Sequence, residues 1–235
     1  MRLGLFADPH YCNAEILCRT RRPSLSLNKI AEAMDAFRQS DVDLCICMGD
    51  LVDKSDGDDQ PHERIREAMG CISAHGIPYY ILMGNHDCAV FSKSEFAELT
   101  GVPSAPYIWD TPAHRLIFLD ANYRSDGRHF CLAGVEWTDS NLPADQLVFL
   151  QRALAESSLP CIVLLHENLD AEVRADHQVK NADDVRRILE DSQKVALVIQ
   201  GHYHKGADHI SNRIRYLTLP AMCEGIENRY LILDI

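Results

Sequence analysis

Asp43-Leu44-Cys45-Ile46-Cys47-Met48-Gly49-Asp50-Leu51-Val52-Asp53 is an apolar run that stops at a glycine and continues into carboxylates, and it reads as a strand ending at a functional loop. Short apolar runs ending at polar residues recur outward in both directions. Arg2 to Ala7 precedes Asp8-Pro9-His10, and Pro78 to Met83 precedes Gly84-Asn85-His86-Asp87. Cys161 to Leu165 leads into His166, and Val195 to Gln200 into Gly201-His202-Tyr203-His204. Between these runs lie helical patterns. Asn28 to Gln39 places Ile30, Ala33, Met34 and Phe37 on one face, and Pro61 to His75 has proline at its start and Gly76 just past its end. Asp145 to Glu156 and Asp183 to Glu190 read as further helices. Arg115 to Asp120, Arg213 to Leu219 and Arg229 to Asp234 read as strands, and Tyr11 to Leu27 as a long loop. This alternation predicts an α/β layered domain with helices covering the sheet, in which ligands gather at the carboxyl ends of strands. The polar motifs fall at those ends.

The chain has 235 residues, 46% hydrophobic and 25% charged, which fits a soluble globular protein. The motifs run through the whole length, so one domain over residues 1–235 is expected. A core of that size buries roughly 70 to 75% of the unfolded surface without disulfide or structural metal. Any metal is then expected to be catalytic. A formal net charge of −12 argues against long nucleic acid as a partner, while a local cation pair still accommodates a small anionic substrate. The nine cysteines are scattered with no CxxC pair and read as reduced thiols, with Cys45, Cys47 and Cys161 packed inside apolar runs. Met1 to Ala7 is too short for a signal segment, and no stretch approaches the 18 or so apolar residues of a membrane span. A cytoplasmic protein with no membrane association is expected; the oligomeric state is not legible.

Asp8-Pro9-His10, Gly49-Asp50-Leu51-Val52-Asp53, Gly84-Asn85-His86-Asp87, His166 and Gly201-His202-Tyr203-His204, in this order and at strand ends, resemble the calcineurin-like metallophosphoesterase family. The resemblance covers residues 8 to 204. It implies a layered αββα sandwich with two mixed β-sheets flanked by helices. It also implies that Asp8, His10 and His204 hold one metal, that Asn85, His166 and His202 hold another, and that Asp50 bridges them. Carboxylate, imidazole and amide donors suit Mn, Fe, Co or Zn. Such an ion pair activates a water, so that a bridging hydroxide attacks phosphorus in line. In this reading His86 assists the leaving group and Asp53 orients it. Asp87 is left in a supporting role. Lone histidines at 62, 75, 114, 129 and 209 are expected to be structural.

Lys54 and Ser55 stand where protein phosphatases carry Arg-Gly, and His86 stands where the UDP-diacylglucosamine hydrolases carry arginine. The chain looks more like the cyclic-nucleotide phosphodiesterase and ADP-ribose hydrolase branches, which implies a phosphodiester or small nucleotide-type substrate. Arg19, Arg21 and Arg22 are candidates for substrate binding alongside Asn85, since arginine forks suit phosphate. A solvated basic turn is the plainer alternative for them. Trp137 is a candidate for stacking a base, and Asn122, Tyr123 and Arg124 for reaching the cleft. A non-catalytic binding module on the same fold and a nuclease are the competing readings. No ligand position is missing, as it would be in the first, and the basic channel wanted by the second is absent from this acidic chain.

Overall fold

Strand and helix alternate along the chain and sort into two mixed sheets. The computed structural model describes residues 1–54, 60–131 and 136–235, so that Ser55 lies outside the described residues. Its first half contains β1 (Arg2–Phe6), α1 (Ser26–Gln39), β2 (Leu44–Cys47), α2 (Pro61–Ser73), β3 (Tyr79–Ile81), α3 (Asn85–Cys88), α4 (Lys93–Thr100), β4 (Tyr107–Asp110) and β5 (Arg115–Phe118). The second half adds α5 (Ala144–Glu156), β6 (Cys161–Leu164), α6 (Ala182–Ser192), β7 (Val195–Gln200), β8 (Ala207–Ser211), β9 (Ile214–Thr218) and β10 (Leu231–Asp234). One sheet has the order β10-β1-β2-β3, the other β4-β5-β6-β7-β9-β8. In each the inner strands run parallel, and the antiparallel pairs lie at β10, β4 and β8.

Side-chain alternation sets the layers. Leu116 and Phe118 of β5, and Ile162 and Leu164 of β6, join the core that also takes β1, β2 and β3. Their neighbours Ile117 and Val163 point the other way, onto Leu150 and Leu154 of α5 and Val185 and Leu189 of α6. On the far side of the first sheet, Ile30, Met34 and Phe37 of α1 and Ile65, Ala68 and Ile72 of α2 are fully buried. The result is the helix–sheet–sheet–helix stack. Tyr80 of β3 stacks on Phe118 of β5 with ring centroids 3.9 Å apart, which fixes one sheet against the other. Gly4 lets α1 sit close on β1, since a Cβ there would lie 2.6 Å from the Phe37 ring. No helix among the described residues is long and apolar enough to cross a membrane.

The strands and helices expected from the sequence form within a few residues of their expected ends, and Cys45, Cys47 and Cys161 are buried free thiols. Besides short 3-10 helices at Pro23–Leu25, Trp137–Asp139 and Ala175–His177, the elements α3, α4, β4 and β8 were not anticipated. Helix α4 starts at a capping box in which Ser92 Oγ accepts from Glu95 N at 3.3 Å, and it ends on Gly101 in the left-handed conformation.

Candidate metal centre

The loops after β1, β2, β3, β6 and β7 converge, and the backbone ties them together before any side chain does. Asp8 N donates to Gly49 O at 3.1 Å and His10 N to Asp50 O at 2.9 Å, zipping the first loop to the second. His202 N reaches both carboxylate oxygens of Asp8 at 3.1 Å, and His86 N reaches Asp50 Oδ1 at 2.8 Å. Asp87 locks the second loop to the third by accepting from Leu51 N, Val52 N and Gly84 N at 3.2, 3.0 and 2.9 Å. Approach this close needs glycine. Gly49 has φ +104° and a Cβ on it would lie 2.5 Å from His166 Nδ1, while a Cβ on Gly84 would run into the Asp50 carboxylate. Asp8, His10, Asp50 and His202 adopt left-handed φ of 53°, 49°, 52° and 65°. Non-glycine residues held this way cost about 1–3 kcal/mol each, and such strain gathers at functional sites.

All seven residues expected to hold metal are brought together. Their imidazoles are arranged for a cation. His166 Nδ1 donates to Met48 O at 2.7 Å, His10 Nδ1 to Asp53 Oδ2 at 3.2 Å and His204 Nδ1 to Glu224 Oε1 at 2.8 Å. Each of these contacts assigns the proton to Nδ1 and leaves a lone pair on Nε2. Those Nε2 atoms face other acceptors. His10 Nε2 lies 3.1 Å from His204 Nε2, and His166 Nε2 lies 3.3 Å from Asn85 Oδ1. Asp50 Oδ2 sits 3.4 Å from both His10 Nε2 and His166 Nε2. His202 Nε2 is buried with no hydrogen-bond partner. Lone pair against lone pair is repulsive unless a proton or a metal lies between. Donors about 2.1 Å from one ion would be spaced much like this, so the residues present fit the metals the motifs imply. Burial pushes His10 down to about 3 and His202 well below the usual histidine range, which keeps both rings neutral and available as ligands. Burial also opposes charge on His166, but Asp50 and Asp8 raise it well above its ordinary value.

His86 was not expected among the metal ligands, but it adjoins the donor cluster: its ring centroid lies 4.5 Å from that of His10, and one of its ring nitrogens lies within 4.8 Å of donor atoms of His10 and Asp50. Its Nδ1 contacts Asp53 Oδ1 at 2.8 Å, and its side chain is 31% exposed at the cleft. Burial opposes its charge, yet Asp50 and Asp53 together raise its pKa. Asp53 has a second task, because its other oxygen holds His10. Burial alone would raise the Asp53 carboxyl, but hydrogen bonds from His10 and His86 hold it far below the usual range.

A cavity of about 400 Å³ opens over these groups, lined by Cys18, Arg21, Asp50, Asn85, His86, Trp137, His177, His202 and His204. Of the three arginines, Arg21 borders it and lies 3.6 Å from Asp53 Oδ2. Arg22 folds its guanidinium onto Arg19 O and Arg21 O at 3.3 Å, and Arg19 is exposed. Trp137 borders the cleft. Asn122, Tyr123 and Arg124 are outside its lining; Asn122 is fully buried and donates to Met83 O at 2.8 Å. The sequence did not point to Glu224, His177, Cys18, which lines the cavity, or Cys223, whose sulfur lies within 4.8 Å of donor atoms of His10 and His204. Glu224 sits on a loop with no motif, and His177 ends a short 3-10 helix, Ala175–His177. A histidine near the other motifs was the one available hint for His177; nothing marked Glu224.

The family profile described as calcineurin-like phosphoesterase matches residues 1–206. A probable cyclic nucleotide phosphodiesterase of Synechococcus sp. is 26% identical over 212 residues, covering 85% of this chain and 72% of that protein. Among solved structures, a dimetal phosphatase from Danio rerio superposes with TM-score 0.85 at 18% identity, covering 98% of this chain and 91% of the other. The protein TT1561 of Thermus thermophilus superposes with TM-score 0.61 at 11% identity, covering 94% and 89%. The match of the profile to most of the chain makes the protein a hydrolase acting on phosphate ester bonds, and the chain belongs to the calcineurin-like phosphoesterase family.

Proposed function

We propose that the protein hydrolyses a phosphodiester or small nucleotide-type substrate at this cleft, with Asp8, His10 and His204 holding one divalent ion, Asn85, His166 and His202 a second, and Asp50 shared. The observation that carries the reading is Asp50 Oδ2, placed 3.4 Å from one imidazole of each set. Ions of the Mn, Fe, Zn or Co type bound there supply Lewis acidity toward water and the phosphate oxygens. The chain's own groups do the rest. Arg21 and Asn85, which both line the cavity, orient the phosphate. His86 keeps Nδ1–H on Asp53 and presents Nε2 to the cleft, where it holds a proton for the departing oxygen. Asp53 fixes that tautomer and the ring plane. An acid is needed most for a poor leaving group, the alkoxide of a ribose or alkyl ester, which supports a nucleotide-type ester rather than an aryl one. The Synechococcus relative, named as a probable cyclic nucleotide phosphodiesterase, supports the same substrate class.

The test is Mn-loaded protein assayed against bis-p-nitrophenyl phosphate, p-nitrophenyl phosphate, cyclic nucleotides and ADP-ribose, with metal content measured in parallel. Turnover of at least one diester above the monoester is expected. Monoester turnover alone, or none with both ions bound, overturns the proposal.

A further inference from the structure

The cleft has unlike walls. Beside Asp50 and His86 it is polar and carries Arg21; beside His202 it is aromatic. Trp137 and His177 form that second wall, with ring centroids 5.1 Å apart in an edge contact, and each ring also abuts His202, at 5.7 and 5.2 Å. The wall is braced from behind. His177 Nδ1 bonds Asp176 Oδ1 at 2.9 Å, Arg174 grips the same carboxylate, and the His177 ring meets Tyr203 edge-on at 5.1 Å. His177 O accepts from Asn168 N at 3.3 Å, tying the turn to the loop that follows His166.

Trp137 is 36% exposed, and of the exposed large hydrophobic side chains among the described residues it is the one that borders this cavity. An indole usually buries most of its surface. Left open beside charged ligands in a chain of net charge −12, it loses the hydrophobic gain of burial unless a ligand covers it. The cavity, about 400 Å³, is within the range that takes a small organic ligand.

We infer that Trp137, braced by His177, is a stacking platform for the planar base of a nucleoside-type substrate whose phosphate lies over Asp50, Asn85 and His86. The inference rests on the proposed hydrolase reading and narrows its substrate class. A base is a planar π-system with no required charge, which an indole face recognises whatever the base; stacking contributes about 1–3 kcal/mol per base. A substrate of this kind presents its apolar end to Trp137 and its anionic end to the floor and Arg21. A purely aliphatic phosphodiester has nothing to cover the indole.

The test uses the Mn-loaded protein carrying Trp109→Phe, which leaves Trp137 as its single tryptophan, since the chain has two. AMP should quench Trp137 emission and bind more tightly than glycerol phosphate. Calorimetry on Trp137→Ala should show AMP weakened about 5- to 150-fold, with inorganic phosphate bound as before and Trp137→Phe recovering most of the loss. Equal weakening of AMP and inorganic phosphate in Trp137→Ala, or AMP binding no better than glycerol phosphate to begin with, overturns the platform. Failure to hydrolyse any ester while AMP still stacks on Trp137 would instead sink the hydrolytic reading and leave the platform standing.

Discussion

Replacing Glu224 with alanine removes the carboxylate bonded to His204 Nδ1 at 2.8 Å and leaves every donor proposed for the metals in place. The ring then loses what fixes its tautomer and its plane, and Nε2 becomes a weaker base. Partners of this kind are typically worth 10- to 100-fold in metal affinity, or about 1.4–2.8 kcal/mol. Here the pair is well shielded, with side-chain exposures of 17% for His204 and 21% for Glu224, so the loss should fall in the upper part of that range. The hydrogen bond from His204 pulls Glu224 down to about 2, which shows how strongly the pair favours the charged carboxylate. Glu224→Gln keeps an acceptor and loses the charge, so about a tenfold loss is expected. The assay is calorimetric titration of metal-free protein with Mn, in which one of two binding events should weaken and the other hold. Glu227→Gln, at an exposed site on the same loop, controls for bulk charge. Two ions bound with wild-type affinity by Glu224→Ala, or the same loss in Glu227→Gln, would refute the reasoning.

Asp50→Ala should lose both ions and all hydrolysis, because the shared anion between two like charges is gone; elemental analysis showing two ions per chain would count against it. His86→Ala should keep its ions and lose about 10²- to 10⁴-fold in kcat on an alkyl or ribose ester, with a smaller loss on a p-nitrophenyl ester that leaves unaided. Equal losses on both esters would mean that His86 has another role. Asp53→Asn should lower kcat and also loosen metal binding, since Asp53 holds both His86 and His10; kinetics with metal content unchanged would restrict its task to His86. Asp87→Ala strands three buried N–H groups at about 1–3 kcal/mol each, so urea denaturation should show a stability loss above about 3 kcal/mol; a loss under about 1 kcal/mol would show that the loops hold without it.

The five motifs were legible because each donor sits within a few residues of a strand end and the strands are short apolar runs, three of which lead into a glycine (Gly49, Gly84 and Gly201). The layering was not legible from those runs. Leu116, Ile117 and Phe118 are all apolar because β5 is covered on both sides, by the first sheet and by the helices, and a run without alternation does not say which face meets which layer. The pairing of two sheets came from the family resemblance instead. Strand β8 went unread because it is an edge strand whose pattern is inverted, with Ile210 exposed and His209 half-buried. Helix α4 did carry the signature Ser92-Lys93-Ser94-Glu95, but it spans just eight residues. Glu224 was invisible for a topological reason. It reaches His204 because β9 lies beside β7, which carries the loop after β9 back to β1, where Met222 N donates to Ala7 O at 2.8 Å and Cys223 N to Asp8 O at 3.2 Å.

That return also explains why the centre can hold its donors in repulsive proximity. Four of the seven residues sit in left-handed backbone, His10 Nε2 faces His204 Nε2 at 3.1 Å, and His166 Nε2 faces Asn85 Oδ1 at 3.3 Å. Left to itself such a cluster would relax by turning rings outward or flattening loops. Both routes are opposed at His10, His166 and His204. The carbonyl of Met48 and the carboxylates of Asp53 and Glu224 grip the Nδ1 edges from behind, and backbone N–H groups of His86 and His202 grip the carboxylates. The frame is therefore set by contacts that point away from the cavity, and its donors are organised before any ion arrives. Metal binding as proposed would then relieve lone-pair repulsion without having to order the loops, so the affinity gained would not be spent on conformational entropy. The same frame makes the geometry sensitive to residues that never touch metal. Asp87 and Glu224 act at that remove, one on the loops and one on a ring.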